Sequence, residues 1–381
     1  MQKQIDKYLA KLEKQGLIEG EHGASLFGLD DEIYTNAGTV PDEIRTLFSL
    51  LNINSLIVAR PEPLLWSIIT RLASEDEIIR PCDCESLTFF HDVPVVHSLQ
   101  AGPVARALNR RKGCIVKDTG IVTFGTVNLE QAFITMSSIC FASFVKFFSD
   151  ALNSLHGCGC TPKPDPLRID AVLELIGQAA PMPSRSIPAV HELKDEAQII
   201  RAMDEAGKAL VGSRLVDSFF GNISYRQGDI IYISQTGSSL DELPGCIDRV
   251  PLDGSSTCEI TSSSELLAHV KTYELTADNA ILHGHPRFSV IMSMFGGELP
   301  FGEKRFVEDI PVVSGEVGAG RHGLSHTLPP AVKEHGGAIV SGHGTFTSGA
   351  VSFSDAFDRL SEIEHRCYLA YRELLRKGGA G

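Results

Sequence analysis

Positive charge is in short supply: the 381 residues carry 34 Lys and Arg against 48 Asp and Glu, a formal net charge of −14. A footprint for nucleic acid or anionic lipid needs clustered basic side chains, so neither is expected as a partner, and an anionic ligand should be small and held locally. Hydrophobic runs long enough to cross a bilayer are also not expected. The first stretch, MQKQIDKYLAKLEKQGLIEG, sets Ile5, Leu9, Leu12 and Leu17 among charges, which reads as an amphipathic helix and lacks the apolar core of a signal peptide. With no secretory signal, the nine cysteines, an odd number, read as reduced thiols of a cytoplasmic protein. Two Cys-x-Cys pairs, Cys82/Cys84 and Cys158/Cys160, have a shorter gap than zinc sites usually use, so a thiolate metal site is the weaker reading.

What is present is the composition of a soluble globular protein, 43% apolar and 22% charged, in a chain too long for one ordinary core. Proline-rich CTPKPDP at 160–166 and PMPSRSIP at 181–188 interrupt it around a short helical stretch, RIDAVLELIGQAA. The boundaries are therefore placed at 1–160 for a first domain, 161–190 for a linker with a short helix, and 191–381 for a second domain.

The two sides of that linker repeat each other. NAILHGHPRFSVIMS, EDIPVVSGEVGAG and GGAIVSGHGTFTSGAVSFSDAF occur in the second half, while NSLIVARPEPLLWSI, HDVPVVHSLQAGP and KGCIVKDTGIVTFGTVNLEQAF occur in the same order in the first. Three blocks in one order indicate duplication of a domain. Aligning Pro61 with Pro286 sets Val58 against His283 and Arg60 against His285, and aligning Gly120 with Gly344 sets Thr119 against His343. All three histidines are missing from the first copy, which argues that they act together.

Their placement suits a metal. Residues i and i+2 of a strand share a face, so His283 and His285 at a strand end can converge, and His343 follows another apolar run inside the glycine-bracketed SGHGTFTSG. Three neutral imidazoles with an open fourth position form a catalytic rather than a closed structural site. For any one of them alone an ordinary hydrogen-bonded histidine would be the better reading. Upstream, Ser262, Ser263 and Ser264 precede Glu265 and a helical pattern, which offers hydroxyls and backbone N–H groups to an anion, or merely caps a helix. Asn222, Thr236 and Gly237, in the loops that end FFGNISYR and DIIYISQTG, could face the same anion or simply shape turns.

In order, Gly221-Asn222-Ile223-Ser224, Thr236-Gly237, Ser263-Ser264-Glu265, His283-Gly284-His285-Pro286 and His343-Gly344 resemble the motifs of the class II aldolase/adducin head family, over residues 191–375. The first copy resembles only the later half of the pattern. The resemblance, nearest to the fuculose-phosphate aldolase type, implies an α/β fold: two tandem α/β/α domains, each around a largely antiparallel sheet. It implies a divalent metal, zinc first, on His283, His285 and His343, with Glu265 as general acid/base and as a further ligand when substrate is absent. Gly221, Asn222, Thr236, Gly237, Ser263 and Ser264 would hold a substrate phosphate. The implied reaction is reversible carbon–carbon cleavage of a small sugar phosphate, or a related hydroxy-carbonyl compound, through an enediolate held on the metal.

Within the same family the alternatives are a sugar-phosphate 4-epimerase or dehydratase, or a non-catalytic adducin-like interaction module. Epimerising members carry an aspartate shortly before the Ile-Pro pair, where this chain has Lys304, so an aldolase is favoured. Two small departures are Ser262, where the family often has proline, and Gly284, where it often has threonine. The degenerate copy is expected to bind no metal. Because single-domain relatives form rings, two chains here could supply four domains as a homodimer, or assemble further.

Overall fold

The computed structural model describes all residues except 159–165, 183–186, 188–192, 218, 254, 256–259, 319 and 379–381, and only the backbone of 21 and 166–169. The chain divides into two compact units, Met1–Phe148 and Ser149–Gly381.

In the first unit the elements run α1 (Gln2–Lys14), β1 (Ala24–Leu29), β2 (Ile33–Thr35), α2 (Asp42–Leu50), β3 (Ser55–Ala59), α3 (Pro63–Glu75), β4 (Ile78–Ile79), α4 (Cys84–Phe90), β5 (Val93–Val96), α5 (Ala101–Leu108), β6 (Gly113–Val116) and β7 (Gly120–Gly125). Helix α6 (Leu129–Leu155) follows and runs past the boundary between the units. The second unit continues with α7 (Pro166–Ile176), on the stretch read as the linker helix, then α8 (Glu196–Gly212), β8 (Asn222–Gln227), β9 (Ile230–Ser234), β10 (Ile247–Pro251), α9 (Leu266–Leu275), β11 (Ala280–Gly284) and α10 (Arg287–Met294). It closes with β12 (Lys304–Val307), β13 (Ile310–Val313), α11 (Leu324–His335), β14 (Gly337–Val340), β15 (Gly344–Gly349) and α12 (Phe353–Gly378).

Each unit is a mixed α/β layer structure around one sheet, ordered β2-β1-β3-β7-β6-β5-β4 in the first and β10-β9-β8-β11-β15-β14-β13-β12 in the second. In both, neighbours are antiparallel except one pair, β5/β6 and β13/β14. Period-two alternation explains the layers of the second unit. Ala280, Leu282, Ile223 and Tyr225 bury into a core with α8 and α12, whereas Ile281, Ile231, Ile233 and Phe346 bury into a second core with α9 and α11. His283, two residues after Ile281, therefore belongs to the α9/α11 face. In the first unit Leu56 and Val122 join a core with α2 and α5, while Ile57 and Ile121, facing the other way, are fully buried too.

The duplication extends to single contacts. Val58 pairs with Val122 in the first sheet as His283 pairs with Phe346 in the second. A Cβ on Gly120 would strike the carbonyl of Ala59, and one on Gly344 the carbonyl of Gly284. Thr123 Oγ1 donates to Ala132 O at 2.8 Å, and Thr347 Oγ1 to Ala356 O at 2.7 Å. Left-handed Asp118 (φ 60°) matches left-handed Gly342 (φ 67°), each one residue before the Thr119/His343 position. Strand β10 is present in the second unit only.

One expectation needs correction: α6 is a 27-residue helix apolar enough to cross a membrane by length and composition. Its most hydrophobic stretch is 89% buried, as in a core helix, and small polar Ser, Thr and Cys side chains interrupt the apolar run along its sequence. Of the Cys-x-Cys pairs, Cys82/Cys84 flanks Asp83, whose carboxylate accepts the Ser86 N–H at 2.8 Å and caps α4; Cys160 lies outside the described residues.

Candidate metal centre

The end of β11, the turn before β15 and the start of α9 meet at one point. His283 Nε2 is 3.0 Å from His285 Nε2 and 3.2 Å from His343 Nε2. The Glu265 carboxylate closes the group, with Oε2 3.3 Å from His283 Nε2 and Oε1 3.2 Å from His343 Nε2. Donors 2.0–2.1 Å from a tetrahedral zinc lie about 3.3 Å apart, so these spacings are those of a coordination shell. All four side chains are at least 95% buried, at 1%, 1%, 4% and 5% exposure in the order His283, His285, His343, Glu265.

Burial sets their protonation. It pushes His283 down to about 3, His343 to about 4 and His285 well below the usual imidazole value, although the Glu265 charge works against this at His343. Neutral rings offer lone pairs to a cation. His283 Nδ1 lies 3.2 Å from the carbonyl oxygen of Thr345, where only an N–H fits, so its Nε2 carries the lone pair that points into the cluster. Burial raises the Glu265 carboxyl, partly offset by His343 and by the amide of Asn222, which donates to Oε2 at 2.5 Å. Among the described residues, the three histidines are a group able to hold a metal ion, and a neutral-imidazole set with a carboxylate fits a borderline divalent cation.

Residues 201–371 match the profile of the Class II Aldolase and Adducin N-terminal domain. An L-fuculose phosphate aldolase of Methanocaldococcus jannaschii is 30% identical over 164 residues, which are 41% of this chain and 87% of that protein. The chain belongs to the class II aldolase and adducin family. Among solved structures, the L-fuculose-1-phosphate aldolase of Thermus thermophilus matches at 24% identity, covering 49% of this chain and 100% of that one, with a TM-score of 0.41. A sugar-phosphate aldolase of Thermotoga maritima matches at 18% identity, 49% and 97% coverage, and a TM-score of 0.35.

The six residues expected to hold a phosphate fall into four groups. Asn222 is inside the cluster, on the Glu265 carboxylate. Gly221 (φ 83°) lies against the carbonyl of His283, 2.5 Å from where its Cβ would stand, so a glycine is required there whatever it binds. Thr236 and Ser263 belong to a loop stapled to the end of β9: Thr236 Oγ1 donates to Ser262 O at 2.8 Å, Ser263 N–H to Ser234 O at 3.1 Å, and Ser263 Oγ accepts the Glu265 N–H at 3.3 Å. Gly237 and Ser264 are exposed beside this loop.

Sequence reasoning missed the residues that support this cluster. Asp248 on β10 accepts from Gln235, Thr261 and Ser262 at 2.8, 2.7 and 3.2 Å and so ties the serine loop to the sheet; the hydroxyl of Ser262 has this role where the family often has proline. Phe346 stacks on the His283 ring, with centroids 3.8 Å apart, as its pairing opposite His283 dictates. Glu364 of α12 accepts the N–H groups of Phe288 and Ser289 at 2.9 Å each, pinning the first turn of α10 immediately after His285-Pro286. Beside it Arg287 makes a buried two-pronged ion pair with Asp217 at 2.8 and 3.1 Å. Lone acids in a sequence carry no periodic signal, and only the fold brings these to the site.

Proposed function

We propose that the carboxy-terminal unit is a metal-dependent lyase of the aldolase type, reversibly cleaving a carbon–carbon bond in a small phosphorylated sugar or related hydroxy-carbonyl compound. The observation that carries this reading is the convergence of His283, His285, His343 and Glu265 at coordination spacing in a buried cluster. A bound divalent ion, zinc first, supplies Lewis-acid polarisation of substrate oxygens and takes up negative charge as it develops.

The chain's own groups do the rest. His283, His285 and His343 hold the ion and, being three, leave a position for substrate. Glu265, whose carboxyl is raised by burial, holds or moves a proton at its Oε1, while the Asn222 amide fixes Oε2. Gly221, Thr236, Gly237, Ser263 and Ser264 would hold the phosphate beside the amino end of α9, with the exposed Gly237 and Ser264 offering backbone N–H groups and a hydroxyl, so that no basic patch is needed. The name of the Methanocaldococcus relative supports a sugar phosphate as substrate.

Lys304, where epimerising members have an aspartate, is exposed and 3.9 Å from Glu334, which favours cleavage over epimerisation. The intact ligand set speaks against an adducin-like binding module. A panel of ketose 1-phosphates and pentulose 5-phosphates, assayed for cleavage by zinc-loaded protein, tests the reading. Full activity in both Glu265→Gln and His343→Ala would overturn the site, and protein that takes up no divalent metal would favour the binding module. Self-association into a dimer is part of the proposal, and a light-scattering mass of one chain for fully active protein would rule it out.

A further inference from the structure

The serine of Gly221-Asn222-Ile223-Ser224 has no place in the chemistry above, yet it is fully buried and has two partners. Ser224 Oγ is 2.7 Å from His269 Nδ1 and 2.7 Å from Tyr273 Oη, and Tyr273 donates to the Asn279 carbonyl at 3.2 Å. The spacing is systematic. Asn222 and Ser224, i and i+2 on β8, share the sheet face that looks toward α9. Glu265, His269 and Tyr273 are i, i+4 and i+8 along α9 and share one helix face. A polar seam therefore runs the length of the helix, with Asn222 meeting Glu265 at its start and Ser224 meeting the next two turns.

Two observations give the seam a meaning beyond packing. The buried residues of α9 are Ala268, His269, Thr272 and Tyr273, and its aliphatic Leu266 and Val270 are only partly buried against the core, so the face turned to β8 is seated on small and polar side chains. Hydrogen bonds, with their narrow distance range, add a constraint on how far the helix is pushed along the sheet. The first unit supplies the comparison. By strand register the position of Ser224 is Phe27 there, since Ser25 pairs with Val58 as Asn222 pairs with His283. Phe27 joins an apolar core with Ile44 and Leu47 of α2. The same fold thus packs this seam without polar groups in the copy that lacks the histidines. A buried polar network is costlier than an apolar one, so its presence only beside the imidazoles calls for a role there.

We propose that Ser224 is a positioning residue for Glu265: by anchoring α9 at His269 and Tyr273, it sets the depth at which the helix presents its first carboxylate to the three imidazoles. This rests on the metal reading of the site. Losing the anchor lets α9 shift or rotate, and the carboxylate leaves coordination distance while the histidines, on β11 and the β15 turn, stay.

Cobalt(II)-loaded protein tests it, because visible d–d bands report the ligand set directly. Ser224→Ala and the isosteric Tyr273→Phe are expected to move these bands toward those of Glu265→Gln and to weaken Co2+ binding roughly tenfold in chelator competition. Leu210→Ala, a truncation in the α8/α12 core, is expected to lower thermal stability and leave the bands unchanged. Should Ser224→Ala fail to fold, Tyr273→Phe decides. Bands and affinity unchanged in the seam variants while Glu265→Gln alters them would overturn the proposal, as would an equal change in Leu210→Ala. Wild-type protein that binds no Co2+, or whose bands ignore His283→Ala, would instead overturn the metal reading itself.

Discussion

The carbonyl oxygen of Leu215 closes over Gly284, 2.5 Å from where a Cβ on that residue would stand. This explains why His283 and His285, at the end of β11, are separated by glycine. Gly284→Ala must move backbone rather than a flexible side chain, and overpacking of this kind costs about 1–3 kcal/mol. Because the displaced strand carries His283 and His285, metal affinity measured by chelator competition is expected to fall together with the urea midpoint. A variant of wild-type stability and affinity would show that Leu215 yields freely.

Glu265→Gln separates proton transfer from metal binding. The three imidazoles remain, so about one equivalent of metal should still be found by elemental analysis, while turnover falls by roughly 10²–10⁴ as for loss of a general acid/base. His343→Ala should lose the metal and the activity together. If Glu265→Gln loses its metal as completely as His343→Ala, the carboxylate is chiefly a ligand.

Glu364 predicts a pH effect on stability. Burial raises its carboxyl from the ordinary glutamate value to about 7, against the pull of the Phe288 and Ser289 N–H groups. Between about pH 4.5 and 7 the folded chain then keeps a proton that the unfolded chain has released, so stability is fully present below 4.5 and is lost as pH rises through 7. The change is on the order of 3 kcal/mol. Urea unfolding at pH 5 and pH 8 should show this fall in the wild type and a smaller one in Glu364→Gln; equal falls would place the titration elsewhere.

How much of this was legible beforehand follows from what each signal is made of. The continuous apolar runs before His283 and His343 marked both strands, and their copies without histidine in the first half singled out the three histidines that the fold brings together. Ser263, Ser264 and Glu265 announced the start of α9, although no side chain caps the helix and Ser263 Oγ takes the Glu265 N–H just before it. Asp248, Glu364 and the Asp217–Arg287 pair could not be seen, because each acts across a chain separation that only the sheet order closes. Asn222 reads from sequence as a residue facing an anion, and the fold adds its amide bond to Glu265, a contact between β8 and α9 that no local pattern contains.

The first unit keeps the backbone that carries the histidine cluster but not the histidines, which can be put to use. Arg60, at the position of His285, lies over Trp66 and directs its guanidinium to the carbonyls of Asp118 and Thr119 at 2.5 and 3.4 Å, so a side-chain cation joins the two segments that the imidazoles bring together in the second unit. The backbone N–H of Thr119 bonds Val116 O at 3.1 Å as that of His343 bonds Val340 O at 3.0 Å, and the preceding left-handed residue is shared. The triple variant Val58→His, Arg60→His, Thr119→His should therefore bind a second equivalent of zinc, measured by elemental analysis after gel filtration, where the wild type binds one. Three imidazoles suffice for an open site, and no counterpart of Glu265 is needed for binding alone. A folded triple variant that still binds a single equivalent would mean that the strand ends of the two copies differ in side-chain direction despite their common register.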